Sequence, residues 1–390
     1  MFFFGTQIVE KVSQYKYLGT IVKNTGNFKT NEINLKKKGL RASYLISKIA
    51  LHAKPSSSIK IYEKVVEPIL MYNCEVSLAY MPKSWTYEKF KNNMWNIGAE
   101  VNKVTLSFLR QLLGVHKKTA NAAILGETGK YPLSINIFIH ILKYWFRLAF
   151  SENKLLRASK EANLTQDHLG LQNWHKIVKF LLKATDLDTI SIENEKEAGK
   201  IINKFKLKIK KMYDEWWLEK MMSVENRKLD FFFKHKKTFK FEQYLDALPR
   251  HIRLHMTRLR TSSHTFPIET LRYSKPKIEA HDRKCNICDR DEIGDEMHYL
   301  TKCNNANLLS LKNTFMTNIT QTIPEFEQFD QYSITQYCLL MHDPRIFIPM
   351  ADYVKRVLLT YKEETNTKKM EMPVTTRCGR LVRKPNRLDL

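Results

Sequence analysis

Glycine and proline are scarce in this sequence, with 12 of each in 390 residues. That is about 3% apiece, against roughly 7% and 5% in ordinary proteins. So few breakers in so long a chain predict long helices. Adjacent aspartates occur nowhere. The nearest sets, Asp289/Asp291 and Asp186/Asp188, stand in unrelated contexts, so the paired carboxylates that hold two metal ions for phosphoryl transfer are missing. No run is long and apolar enough to span a bilayer. The best, IFIHILKYWFRLAF from Ile137, is short and carries Lys143 and Arg147. The opening MFFFG lacks a basic start, a full apolar core and a cleavage site, so it does not read as a signal peptide. With neither feature, the chain is expected in the cytoplasm or nucleus, with no membrane or small-molecule partner.

Acid is also in short supply. Only 40 Asp and Glu face 65 Lys and Arg, which leaves a net charge of +25. A surplus of that size favours a polyanionic partner, most simply RNA or DNA. A basic surface that serves only solubility is the alternative. The length predicts about two to three domains, and 43% hydrophobic residues supply the core.

There are 6 cysteines, and three of them fall within the 19 residues CNICDRDEIGDEMHYLTKC, from Cys285 to Cys303. Cys285 and Cys288 form a C-x2-C turn. His298 follows after nine residues and Cys303 after four more. Two thiolates in a tight turn, an imidazole and a third thiolate make a complete tetrahedral set for one structural zinc. Gly294 is expected to supply the backbone angles that turn the connecting loop. Three reduced core cysteines with a satisfied histidine, or a disulfide, are the alternatives. A disulfide suits an oxidising compartment, to which nothing in the sequence points. Against an independent zinc hydrolase, a third alternative, stands that protein fills all four positions and leaves none for water. Cys74 and Cys338 sit among apolar residues and read as core thiols.

The run LRTSSHTFPIETLRYSKPKIEAHDRKCNICDRDEIGDEMHYLTKC, from Leu259 to Cys303, resembles the cysteine/histidine module C-terminal to the reverse transcriptase of non-LTR (LINE-type) retrotransposons. The matching pieces are LRTSSH, the PIE and RY segment, RKCNIC, and GDE before HYL. The gap between half-sites suits that module better than a retroviral zinc knuckle. Further upstream, Tyr17-Leu18-Gly19 is similar to a YLG at the end of the palm in these polymerases. IKIYEKVVEPILMYNCEVSLAY resembles their thumb. The resemblance covers about residues 10 to 150 and 250 to 305. It implies a chain that begins just after a catalytic palm, whose aspartate pair this sequence does not contain.

Periodicity places the remaining elements. QIVEKV and YKYLGTIV read as short strands, with a turn at Asn24 to Asn27 in which Gly26 takes a positive φ. A helix is predicted over Asn31 to His52, its apolar face made by Ile33, Leu40, Tyr44, Leu45 and Ile49. The next helix carries Tyr62, Val65, Val66 and Ile69 on one face and is kinked by Pro68. Gly114 caps the helix before it. Gly126 and Gly129 bracket a turn; reading GETG as a phosphate loop is the weaker alternative. Ile202, Phe205, Ile209, Met212 and Trp216 predict a buried stripe. Lys204 and Lys208 lie off it, facing either phosphate or solvent. Pro249 opens a helix whose apolar face is Ile252, Met256 and Leu259. Arg250, Arg253 and Arg260 share another face, with Arg258 nearby and Lys284 at the zinc turn. That basic face is read as a backbone-contacting surface, with a merely solvated face as the alternative. From Glu364 the chain turns polar and basic, with Arg380 and Arg383, and is expected to be disordered.

The fold expected is mainly α: a short N-terminal β-hairpin remnant of a palm end over residues 1–28, a helical thumb-like bundle over 29–160, a helical linker over 161–248, a basic helix plus small zinc-binding module over 249–305, C-terminal helices over 306–363, and a disordered basic C-terminal tail over 364–390. The function expected is non-catalytic binding of RNA or DNA through a basic surface and the zinc module. A helical protein-interaction scaffold with a purely structural zinc is the alternative.

Overall fold

The structure is a computed structural model. It describes residues 2–4, 6–50, 52–79, 84–171, 173–189, 194–223, 228–325 and 333–371. Arg380 and Arg383 lie outside them. The fold is mainly α, as expected. The chain gathers into two compact units that interleave in sequence. The first takes Met1–Leu112, Ile124–Lys220 and Thr238–Glu242; the second takes Leu113–Ala123, Met221–Lys237 and Gln243–Leu390.

The first unit opens with two antiparallel hairpins, β1 (Phe2–Phe4) with β2 (Gln7–Val9), and β3 (Gln14–Tyr17) with β4 (Thr20–Lys23). The tight turn of the second hairpin is Leu18-Gly19, with φ of 44° and 85°. Two consecutive left-handed residues match the twist of the flanking strands. The glycine of YLG is therefore the hairpin turn, and Gly26 makes a second turn where the chain leaves β4.

Helices α1 (Lys29–Ala50), α2 (Pro55–Val65), α3 (Glu67–Leu70) and α4 (Cys74–Ser77) follow. The face expected to be buried on α1 is wrong. Ile33, Leu40, Tyr44, Leu45 and Ile49 are all exposed. The buried residues are Asn31, Leu35, Gly39, Ser43, Ser47 and Ala50. Small residues let α1 approach α2 and α3 closely. A Cβ on Gly39 would lie 2.2 Å from Leu70 Cδ2. The Ser58 hydroxyl donates to the Ala50 carbonyl at 2.6 Å. Close approach and these polar anchors outweigh apolar area here. The second helix is likewise interrupted, not kinked. Pro68 falls in the first turn of α3, which starts afresh after Val66. Val65 is exposed, and Ile59, Tyr62, Val66 and Leu70 carry the burial.

Then come α5 (Tyr87–Asn93), α6 (Ala99–Leu113), α7 (Asn121–Thr128) and α8 (Leu133–Phe150), of which Leu113 and residues 121–123 fall in the second unit. Gly126 lies inside α7, so GETG is a helix end and not a phosphate loop. Helix α8 is buried nearly all round, through Leu133, Ile135, Ile137, Phe138, Ile139, Ile141, Leu142, Trp145, Phe146 and Leu148. That explains its apolar character as core. No helix among the described residues is long and apolar enough to cross a membrane.

Next come α9 (Lys154–His168), α10 (His175–Ala184) and α11 (Glu195–Met222). The buried stripe of α11 is Ile201, Phe205, Ile209, Tyr213, Trp217 and Met221. The expected stripe shared only Phe205 and Ile209 with it; Ile202, Met212 and Trp216 are half-buried. A stripe repeating every four residues winds slowly around a 3.6-residue helix, so a straight 3–4 pattern lands one residue off. Tyr213 and Trp217 pack edge-on against Phe239, with ring centroids 5.2 and 5.4 Å away. The short segment carrying Phe239 also crosses the end of α7, where Thr128 bridges Phe241.

The second unit holds α12 (Asp230–His235), α13 (Tyr244–Ala247), α14 (Arg250–Arg260), α15 (Pro267–Thr270), α16 (Ala306–Thr322), α17 (Ile334–Leu340) and α18 (Phe347–Glu371). Both α14 and α16 pack on α18, where Phe315 stacks on Tyr353 at 4.2 Å. Helix α18 runs to Glu371, past Glu364, where a disordered tail was expected to begin; residues 372–390 lie outside the described part. Cys74 and Cys338 are buried, and Cys74, Cys285, Cys288, Cys303 and Cys338 are all free thiols, so the disulfide alternative falls.

Gly129 tests the docking of the crossing segment. Its φ is +58°, and a Cβ there would meet Phe241 N at 2.5 Å and the Lys240 carbonyl carbon at 2.8 Å. Backbone cannot move aside as a flexible side chain can. Gly129→Ala is expected to lower stability by about 2 kcal/mol or more, read as a fall in the urea midpoint at unchanged slope.

A four-ligand metal site and the basic cleft beside it

The cysteine/histidine module is built from two local structures. The first is a small hairpin. Lys284 bridges Ile293, Cys285 N donates to Glu292 O at 2.9 Å, and Gly294 N donates to Arg283 O at 2.8 Å. This ladder holds the C-x2-C turn and closes the acidic loop. Gly294 is required for a different reason than expected. Its φ is not in the left-handed region, but a Cβ would lie 2.9 Å from Pro267 Cγ and 3.1 Å from the Tyr299 hydroxyl. The demand is for space.

The second structure is a turn of π-helix over His298–Lys302. Asp295 caps it, accepting from His298 N at 2.7 Å, and Cys303 N donates to His298 O at 2.8 Å. Residues five apart diverge on an α-helix but nearly align on a π-turn. The turn thus brings His298 and Cys303 to the same side, facing the hairpin.

The ligand atoms of Cys285, Cys288, His298 and Cys303 all lie within 4.8 Å of one another. Cys288 Sγ and His298 Nε2 are 3.4 Å apart. Two zinc ligands at about 2.3 and 2.05 Å in tetrahedral geometry stand about 3.5 Å apart. The residues therefore fit a zinc-class ion. Glu292 completes the site. Its Oε2 is 3.1 Å from His298 Nδ1, which fixes the tautomer that turns Nε2 toward the thiols. A hydrogen bond from Cys303 lowers the pKa of the Cys285 thiol, aided by His298 and against burial. Burial opposes charge on His298, but the Cys285 thiolate and Glu292 outweigh it and raise its pKa. The arrangement favours one thiolate, at Cys285; burial raises the pKa of Cys288, and the hydrogen bond with Cys285 raises that of Cys303.

Neighbouring groups pin the module. Tyr299 stacks on Phe266 at 4.3 Å, and Tyr361 of α18 meets it edge-on at 4.8 Å. The buried Glu296 accepts from Ser262 at 2.9 Å and pairs with His264 at 2.8 Å. Burial alone would raise the Glu296 carboxyl, yet His264 beside it holds it below the usual range. LRTSSH and GDE, noticed in the sequence only as pieces of a resemblance, are thus joined in one buried network.

The expected basic face does not survive folding. Arg253 is 5% exposed and Arg260 is 0%. The Arg253 guanidinium donates to the carbonyls of Leu245 and Leu248 at 3.0 and 3.4 Å, where α13 ends. Arg260 lies 4.9 Å over the Tyr244 ring. Arg253 and Arg260 share a helical face as expected, but that face points inward. Arg258 donates to Gly114 O at 2.8 Å, and Lys284 Nζ binds Asp291 O at 3.0 Å. Both are half-buried; Arg250 alone of the five is exposed on α14. Lys204 and Lys208 are exposed on α11, with Lys208 Nζ 3.8 Å from Asp186 Oδ2.

A different basic site emerges. A cleft of about 370 Å³ is lined by His116, Lys118, Lys228, Ser263, Thr270 and Tyr273, among others. Lys118 Nζ lies 3.8 Å from the Tyr273 ring centroid. Lys228 Nζ bonds the Tyr273 hydroxyl and the Lys118 carbonyl, each at 3.0 Å. Its one carboxylate, Glu269, is already held by Arg272 at 2.7 Å and Lys228 at 3.4 Å. An adjoining cleft of about 660 Å³ reaches the zinc hairpin, and its cations and carboxylates balance. The smaller cleft is the cationic one.

No family model, curated protein or solved structure matches this chain.

Protein purified under reducing conditions is expected to hold zinc here through dialysis, measured by elemental analysis. Cys303→Ser should remove it and unfold the module, since binding and folding of such sites are one process. Glu292→Gln should weaken it about 10–100-fold in competition with a chelator. An unaltered affinity in that variant would show that Glu292 does not orient His298.

Proposed function

We propose that this chain binds nucleic acid without catalysing its synthesis, and that the zinc module serves to build the binding surface. The observation that carries this reading is the cationic cleft beside the module. It offers Lys118 and His116 to phosphate and the half-exposed ring of Tyr273 to a base, with Lys228 holding the Tyr273 hydroxyl in place. Aromatic faces and lysines together are the means by which proteins hold single strands without reading sequence. The +25 net charge supports it. So does the resemblance to the C-terminal part of LINE-type reverse transcriptases, which favours RNA or an RNA–DNA junction.

Affinity for a single strand should fall with salt by about 0.7 log units per log of salt for each phosphate contact. Lys118→Ala should flatten that slope by about one contact's worth. Tyr273→Ala should weaken binding by about 1–3 kcal/mol with little change of slope. Removing residues 372–390 should flatten it further, since a basic tail adds contacts. Arg253→Ala should lower stability instead, and leave the slope alone. If Lys118→Ala keeps the wild-type slope, the cleft is not the surface used.

The protein alone should incorporate no nucleotide on any primed template, because it has no aspartate pair to hold two metal ions. Template-dependent extension abolished by a single point mutation in this chain would refute that.

One observation favours a protein-interaction scaffold as a second reading. Helix α1 exposes Ile33, Leu40, Tyr44, Leu45 and Ile49, three of them 65% exposed or more. Absence of nucleic-acid binding even at low salt would turn the balance to it.

A further inference from the structure

A second group of metal-ligating side chains lies in the first unit, apart from the zinc module. The ligand atoms of Cys74, Glu75 and His140 are all within 4.8 Å of one another. Cys74 Sγ is 3.6 Å from Glu75 Oε2. Zinc bonded to sulfur at about 2.3 Å and to carboxylate oxygen at about 2.1 Å in tetrahedral geometry sets those atoms about 3.6 Å apart. A thiol–carboxylate hydrogen bond gives a similar distance, so the pair alone decides nothing. The third group is what matters: α8 brings an imidazole to the same point.

The supporting structure holds the ligands in place. Asn73 enters α4 with a left-handed φ of 53°. Its side chain donates to Thr20 Oγ1 at 3.1 Å, and its carbonyl accepts from the Ser77 hydroxyl at 2.8 Å. The Trp174 indole N–H donates to the Glu75 carbonyl at 2.7 Å. The backbone around Cys74 and Glu75 is thereby held, as outer hydrogen bonds hold ligands in metal sites. Burial is graded across the group, with Cys74 buried, Glu75 half-buried and His140 exposed, which gives an ion a way in. Glu75 also pairs with no lysine or arginine among the described residues, in a chain with a large cationic surplus.

We propose that Cys74, Glu75 and His140 form a second metal site, which takes a zinc-class divalent ion and leaves one coordination position open. The sulfur, nitrogen and oxygen donors suit zinc or its neighbours over magnesium or calcium. Three protein ligands leave the fourth position to water or an external donor, the arrangement that closed four-ligand structural sites lack. With fewer ligands, this site binds more weakly than the one at Cys285 and fills on titration, not in purification.

The test is a zinc titration of the full chain under reducing conditions, with a chelating indicator as competitor. Wild type is expected to bind one equivalent tightly and a second more weakly. His140→Ala, a surface change that spares the core, should weaken the second equivalent about tenfold or more and leave the first. Cys74→Ala should do the same. Cys303→Ser should abolish the first and leave the second. A single equivalent in wild type overturns the proposal, as does a second equivalent that survives His140→Ala.

Discussion

The second unit depends on a step of five residues. His298 and Cys303 are too far apart to share a face of an α-helix and too close to lie on separate elements. The π-turn resolves this, and it must be held, because π-helix is rare and occurs mostly as single turns. Asp295 caps it, Tyr299 within it is clamped between Phe266 and Tyr361, and the Tyr353 hydroxyl donates to the Leu300 carbonyl. The helices α14, α16 and α18 can thus be read as the frame that keeps one irregular turn in place. A zinc ion would be held partly by this packing, and would in turn hold the packing together.

Charge and burial conflict in this chain, and burial wins in places that matter. A sequence with so many cations invites every periodic row of them to be placed outside. Arg253 shows why that fails. A guanidinium offers five donors and can satisfy the carbonyl end of a short helix, so α13 takes it inward. Arg260 is received by an aromatic face. The cations that do converge at a cleft, exposed Lys118 and half-buried Lys228, come from segments more than a hundred residues apart. No local pattern marks them.

The legible and illegible parts of the molecule separate along this line. The four residues of the metal-binding cluster could be read because only a few residue types bind such ions and their spacing is short. Helices could be read because Gly and Pro are rare and the apolar period is regular. The buried faces of α1 and α11 could not. Burial on α1 is decided by how closely α2 and α3 approach, which rewards Gly39, Ser43 and Ser47 over Leu45 and Ile49. On α11 a four-residue repeat drifts around the helix. Glu292 was hidden in an acidic loop whose bland explanation, solvation, sufficed until His298 was seen beside it.

The interleaving of the two units also has a consequence for how the protein is made. Residues 238–242, which carry Phe239 and Phe241 into the first unit, are synthesised after the chain has already entered the second twice. As the chain leaves the ribosome, the first unit lacks its final aromatic contact until about residue 242 has emerged. By then Leu113–Ala123 of the second unit has long been waiting for its own partners. Neither unit can be completed before the other is begun. Nor can a single cut in the chain release either one whole.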